Sequence, residues 1–401
     1  MTNTLVQQKI AQAVDLLREH DIDLWVAQFG RETGLHPEPS QDLLVGATVT
    51  WPSAFLIARD GRTVALVGTG DAEEARRAGC YAEVIGYVQD IRADLLRVLD
   101  SLNPRAIALN YSTDDHTADG ITHGMFLLWQ RLLDGTPYAE RFVSAAPLLA
   151  PLRARKLPVE VARIRATVAR AEDIFDRLQE FLRPGVTERQ AHAFVTDLLR
   201  AEGLEPAWDQ GHCPHVAIGP DTGFGHVGPG DIAAQPGHLI FVDFGVRLDG
   251  YCSDLQRTFY LLHPDEERPP AAVQDTFDTL LGAIDAGAAA LRPGVAHWQV
   301  DAAARRALVD VGYAEPQFAF GHHLGRTAHD GGGTLGPRWP RYGATPELLV
   351  EEGNVFALEF AVPCRAPGHG WVSLEENVLV GAHGLEWLSR RQKALRLIAA
   401  R

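Results

Sequence analysis

The chain runs to 401 residues, 46% of them apolar, and its formal net charge is −15. So much apolar material excludes a disordered chain and is enough for two domains with separate cores. The acidic balance excludes a sequence-independent nucleic-acid binder, which needs a cationic face.

Taken in order, residues 1–150 alternate helical and extended periodicity. Helices are expected over 6–18, 71–78, 91–102 and 122–133, and strands over 22–27, 83–88 and 106–110. The segment 54–67, AFLIARDGRTVALV, alternates like a hairpin turning at Asp60-Gly61. No cluster of chemically active side chains stands out, and the stretch reads as an α/β accessory domain. Three prolines and a basic run in APLLAPLRARKLP, residues 146–158, break the periodicity. A linker is expected there, dividing the chain into domains 1–150 and 151–401.

The second domain contains an internal repeat. FLRPGVTERQ (181–190) returns as ALRPGVAHWQ (290–299), a displacement of 109 residues, and Gly203 returns at the same displacement as Gly312. Each copy follows a helix-like run, with Ile164, Val168, Ala171, Phe175 and Leu178 in the first and Phe277, Leu280, Ile284 and Leu291 in the second. Pro-Gly ends that helix and another begins, with Thr187 and Gln190 spaced as a capping box. Helix, breaker, helix and terminal glycine recurring together predict a duplicated half-domain.

Each half ends in extended stretches carrying two acidic residues. In FVDFGVRLDGYCSDLQRTF (241–259), Asp249-Gly250 is the two-residue turn that tight hairpins prefer. That turn pairs Leu248 with Tyr251 and sets Asp243 opposite Gln256. Asp243 and Asp254 then become diagonal neighbours on one face, roughly 7–8 Å apart. The other face carries Ile240, Val242, Phe244, Val246 and Leu255, a core pattern. The second half supplies Glu359 in NVFALEFAV and Glu375 in WVSLEENVLV. Like charges in a half-buried sheet repel and lose hydration, so these carboxylates call for a cation. Hard oxygen ligands suit a divalent metal such as manganese.

Histidines cluster in GPDTGFGHVGPG, which holds His226, and in FGHHLGRTAHDGGG, which holds His322, His323 and His329. The glycines of the second segment allow close backbone approach to a ligand. The order D-F-G, S-D-L-Q-R-T-F, G-H-H-L-G-R-T-A-H-D, an isolated Glu359 and a final L-E-E-N-V resembles the M24 metallopeptidase superfamily of creatinase, prolidase and methionine aminopeptidase. The motifs cover roughly residues 155–395.

The resemblance implies a creatinase-like α/β N-terminal domain followed by an α+β "pita-bread" catalytic domain with internal pseudo-twofold symmetry. It implies that Asp243 holds one metal, Asp254 and Glu375 bridge two, and His322 and Glu359 complete the second. His322 is chosen over His323 because it keeps the seven-residue spacing to His329. His226, 17 residues before Asp243, and His329 match the substrate-side histidines, and Thr258 fits a hydroxyl supporting a ligand carboxylate. The cofactor implied is a pair of divalent ions, manganese foremost, with cobalt or zinc as alternatives. Such a pair turns a shared water into hydroxide at neutral pH, with Glu359 as general base and His226 and His329 stabilising the oxyanion. A homodimer is the family's expectation.

Two-domain members cleave before proline, so the substrate expected is a small peptide with proline second. A dipeptidase must recognise the proline carboxylate, and Arg338 or Arg341 offers a bidentate clamp. An Xaa-Pro dipeptidase is therefore favoured over aminopeptidase P, which acts on longer peptides, and over a metal-free binding module on the same fold. Three positions depart from the family pattern. Phe360-Ala361 replaces Pro-Gly after Glu359, Ser373 replaces an arginine, and Phe318 replaces a histidine four residues before His322.

The setting expected is cytoplasmic and free of membrane. Cys80, Cys213, Cys252 and Cys364 show no C-x-x-C spacing, the first residues lack a signal-peptide layout, and no run is long enough to span a bilayer.

Overall fold

A computed structural model describes residues 3–222, 225, 227–382 and 384–399. The chain divides into two compact units, Met1–Arg153 and Ala154–Arg401.

In the first unit a six-stranded mixed sheet runs in the order Glu83–Tyr87, Thr63–Gly68, Ser53–Ala58, Leu24–Gly30, Ile107–Leu109, Phe142–Ser144. The strand Leu24–Gly30 is buried on both faces. Trp25 and Ala27 join the core that includes Val6, Leu17, Leu148 and Leu152. Leu24 and Val26 join the one that includes Leu95, Leu99, Met125 and Trp129. Helices on both faces explain why this strand lacks polar alternation. The expected hairpin forms, with Ile57 paired to Thr63 and Asp60 Oδ1 accepting the Arg62 N–H at 2.9 Å.

The supposed linker is mostly helix, in Ala146–Ala154 and again from Pro158. Pro147 and Pro158 lie in first turns, where a missing N–H costs nothing, and Pro151 is the one interior proline. Leu148, Leu149 and Leu152 are buried, so the stretch follows its apolar residues rather than its prolines.

The second unit packs helices against a larger sheet. Among the described residues that sheet has nine strands. Its main path runs Thr334–Leu335, Gly321–His323, Val355–Pro363, Trp371–Gly381, Leu255–Leu261, Leu239–Phe244, His215–Ile218. Helices Ala271–Ala290 and His297–Val309 bring Phe277, Leu280, Ile284, Val300 and Leu308 into one core with Phe356, Leu358 and Phe360. Period two then turns Ala357, Glu359 and Ala361 to the other face of the sheet.

The two R-P-G segments are built alike. Thr187 and Gln190 form the reciprocal cap, Thr187 Oγ1 accepting from Gln190 N at 3.2 Å and Gln190 Oε1 from Thr187 N at 3.0 Å. In the second copy Gln299 Oε1 accepts from Ala296 N at 3.1 Å, and alanine offers no return bond. Thr187 and Ala296 each also make an isolated antiparallel bridge, to Ala233 and Leu349.

The 241–259 ribbon keeps the expected register, with Leu248 opposite Tyr251 and Asp243 opposite Gln256. Asp249 and Gly250 take the positive φ values, 50° and 74°, that the tight turn needs. One ladder was expected and two are found. Leu239–Phe244 belongs to the large sheet, and Val246–Leu248 to a three-stranded sheet with Glu205–Pro206. The break falls at Gly245, where a Cβ would lie 2.0 Å from the Ser253 carbonyl oxygen. Only glycine tolerates that approach. No helix among the described residues is long and apolar enough to cross a membrane.

Candidate metal centre

Chemically active residues fall on one transverse row of the large sheet. His215 pairs with Asp243, Asp243 with Gln256, Gln256 with Glu375, and Glu375 with Glu359. Directly opposed residues share a face of a pleated sheet, so five strands present these side chains together. His322 stands opposite Ala357, two residues from Glu359 on that same face. Asp254 comes from the break two residues before Gln256, where Asn377 holds it. The Asn377 Oδ1 accepts the Asp254 N–H at 3.2 Å, and its amide donates to the Asp254 carbonyl.

His322 is the hub. Its Nε2 lies 3.7 Å from Asp254 Oδ2, 3.8 Å from Glu359 Oε1 and 3.6 Å from Glu375 Oε1. Its Nδ1 lies 3.0 Å from the Ala328 carbonyl, which only an N–H can satisfy. That bond fixes the tautomer and turns the Nε2 lone pair toward the carboxylates.

Burial pushes Asp243, Asp254 and Glu375 well above the ordinary carboxyl range. Neighbouring charge adds to it, from Glu359 on Asp243 and Glu375, and from Glu375 on Asp254. Glu359 is also raised by burial, against the opposing pull of His322 and Gln256. Asp243 Oδ1 and Glu375 Oε2 are buried with no hydrogen-bond partner. Orphaned carboxylate oxygens, a directed imidazole lone pair and mutual repulsion together fit a divalent cation. Asp254, His322 and Glu375 each place a ligand atom within 4.8 Å of the others. The Glu359 side chain is 22% exposed against 1% for Glu375, so the cluster opens to solvent on the Glu359 side.

The loop after His322 carries His329, whose ring meets the His322 ring edge-on at 4.3 Å. Thr327 Oγ1 donates to the His329 carbonyl at 2.8 Å, and the Asp330 N–H to the His323 carbonyl at 2.9 Å. Lys156 Nζ reaches Asp330 Oδ2 at 2.8 Å, with both side chains buried. Sequence reasoning missed this pair. Lys156 was hidden in the supposed linker, and the Asp330 carboxylate was read only as part of a motif.

His323 lies apart from the carboxylates, beside His297 (rings 5.5 Å apart) and Phe356. Burial holds the His323 imidazole well below its usual range and lowers His297 to about 4.

Thr258 departs from expectation. Its hydroxyl donates to the Ser373 carbonyl at 2.6 Å and accepts the Ser373 N–H at 3.0 Å. The single hydroxyl proton is thereby committed to backbone, so Thr258 secures the strand bearing Glu375 rather than a carboxylate. Arg338 is engaged by both oxygens of Glu347, at 2.6 and 3.0 Å, and lies over the Trp298 ring. Arg341 stacks on Trp339 and Tyr342 and donates to the Gln317 carbonyl. His226 lies outside the described residues.

The model of metallopeptidase family M24 matches residues 162–382, a stretch that contains every member of this cluster. The chain belongs to metallopeptidase family M24. It is therefore a peptidase, of a family in which dependence on divalent metal is typical. An uncharacterised peptidase of Staphylococcus aureus is 25% identical over 96% of this chain and 99% of its own length. This M24 chain also shares its fold with an Xaa-Pro dipeptidase from Bacillus anthracis (TM-score 0.74, 21% identity, 98% of this chain and 100% of that one). The dipeptidase PepE from Mycobacterium ulcerans is similar (TM-score 0.74, 23% identity, 100% and 99% covered). So is an X-Pro aminopeptidase from Thermotoga maritima (TM-score 0.71, 20% identity, 97% and 99% covered). The two-domain α/β and α+β architecture is thus that of these enzymes.

Proposed function

We propose that this M24 peptidase is a dinuclear-metal Xaa-Pro dipeptidase. The observation that carries the reading is the convergence of Asp254, Glu359 and Glu375 on His322 Nε2, each within 3.8 Å. Asp243, Asp254, His322, Glu359 and Glu375 would hold two ions, with manganese the foremost candidate for this largely oxygen donor set. When bound, such ions supply Lewis acidity, polarising the scissile carbonyl and acidifying water.

The remaining work belongs to the chain's own side chains. Glu359, on the solvent side of the cluster, takes the proton of the attacking water as general base. It returns that proton to the proline nitrogen as the C–N bond breaks. His329, held against His322, donates to the oxyanion, and His226 is assigned the same role from sequence. A bond preceding proline has no N–H, so recognition must rest on shape and on the two termini.

A second reading, aminopeptidase P, draws on the state of Arg338. Its guanidinium already faces both oxygens of Glu347, and that of Arg341 donates to the Gln317 carbonyl and the Tyr342 hydroxyl, so both clamps for a dipeptide carboxylate are already engaged. The deciding assay compares Gly-Pro with Gly-Pro-Ala at equal concentration in the presence of manganese. Release of proline from the dipeptide with slow tripeptide turnover supports the dipeptidase. Rapid cleavage of the tripeptide moves the assignment to aminopeptidase P, and turnover of neither contradicts both.

A further inference from the structure

Gln256 occupies the middle of the transverse row, with Asp243 opposite it on one neighbouring strand and Glu375 on the other. It is buried and uncharged in a row of carboxylates. Its side chain reaches past the Glu375 strand, and Nε2 donates to Glu359 Oε2 at 2.7 Å. At its other end, Oε1 accepts from the hydroxyl of buried Ser373. Ser373 is fixed in turn by the two bonds between its backbone and the Thr258 hydroxyl.

Every proton direction in this chain is forced. An ionised carboxylate only accepts, so the amide must turn NH2 toward Glu359. The amide oxygen then faces Ser373, whose hydroxyl must donate. A flipped amide would set oxygen against carboxylate oxygen and lose the bond to Glu359. Glu359 Oε2 is thereby taken, and Oε1, the oxygen 3.8 Å from His322 Nε2, is the one left for other partners.

We propose that Ser373 and Gln256 form a neutral positioning relay that sets the rotamer of Glu359 and decides which of its oxygens serves the centre. The relay rests on the reading of Glu359 given above. Gln256 and Ser373 touch no reacting atom and act through carboxylates, Glu359 first, with the Gln256 side chain also hydrogen-bonded to Glu375. Ser373 stood out only as a departure from the family pattern and Gln256 only as the neighbour of Asp243, because their bonds run between three strands that are distant in the chain.

The test titrates manganese(II) alone into the metal-free full-length chain by calorimetry and separately measures kcat and KM on Gly-Pro. Gln256→Met keeps the length of the side chain and removes its donor. It is expected to weaken manganese binding about 10–100-fold, the range seen for groups that orient metal ligands. Its kcat should fall about tenfold or more while KM stays within about threefold, the signature of a group needed after substrate has bound. Ser373→Ala should move both readouts the same way by less. The double variant should be no worse than Gln256→Met alone, because the serine works through the amide.

Wild-type manganese affinity and kcat in Gln256→Met, or losses that simply add in the double variant, overturn the relay. If Gln256→Met fails to fold by circular dichroism, Ser373→Ala decides by the same two readouts. Glu359→Gln separates the two levels of the argument. A dead Glu359→Gln beside a normal Gln256→Met removes the relay alone, whereas a fully active Glu359→Gln removes the reading beneath it.

Discussion

Replacing Lys156 with methionine should destabilise the catalytic unit more than any surface change. The Lys156–Asp330 pair is 0% and 2% exposed, with Nζ and Oδ2 at 2.8 Å. Removing the ammonium takes the Lys156 charge away from the buried Asp330 carboxylate, which also accepts from the Thr327 N–H and hydroxyl at 3.3 and 3.4 Å. Breaking a buried pair from one side costs about 3–5 kcal/mol. The unit Ala154–Arg401, about 250 residues, has an unfolding entropy of about 0.5 kcal/mol/K, so the melting temperature should fall by about 6–10 °C. Activity at 25 °C should fall as well, because Asp330 anchors the loop between His322 and His329. Scanning calorimetry of the metal-free chain reads the first effect and Gly-Pro turnover the second. Lys156→Met/Asp330→Leu should melt above Lys156→Met, since neither member of the pair is then left without the other. A Lys156→Met variant melting within about 2 °C of wild type would refute the reasoning.

Three further outcomes follow from the histidines. His297 takes a proton near pH 4 when folded and near its ordinary 6.5 when unfolded, so below pH 6.5 the unfolded chain binds protons first. Stability is lost as pH falls from 6.5 to 4, by about 3 kcal/mol in full. His297→Leu should lose less melting temperature than wild type between pH 7.5 and 5, and an equal loss would show that His297 is not the sensor. His322→Ala should abolish manganese binding and turnover together. His329→Ala should keep the metal by calorimetry and lose about 10²–10³-fold in kcat, the range for one oxyanion donor. Loss of metal in His329→Ala would place that histidine among the ligands instead.

Much of the frame was legible because local chemistry repeats it. The turn at Asp249-Gly250 dictates the register that sets Asp243 opposite Gln256, and alternation around Glu359 separates a core face from an acidic one. The order of strands was not legible. Only the sheet brings Glu375 between Gln256 and Glu359, and nothing in either local segment encodes that neighbour. Residues 146–158 misled because proline was read as a breaker, although Pro147 and Pro158 fall in first turns. The same misreading concealed Lys156, whose partner lies 174 residues away. For Thr258 spacing predicts a face and not the direction of the hydroxyl proton, which the Ser373 carbonyl takes. Arg338 was singled out for its charge, and its capture by Glu347 nine residues on is a loop contact that no periodicity reports.

The central claim is that acidic residues from separate strands, with His322, hold a pair of divalent cations. Crystals soaked in manganese and measured at the manganese absorption edge test it most directly. Two anomalous peaks are expected among Asp243, Asp254, His322, Glu359 and Glu375, both lost in Glu375→Gln. An empty difference map at that position, or peaks bound elsewhere with the ligand set untouched, would contradict it.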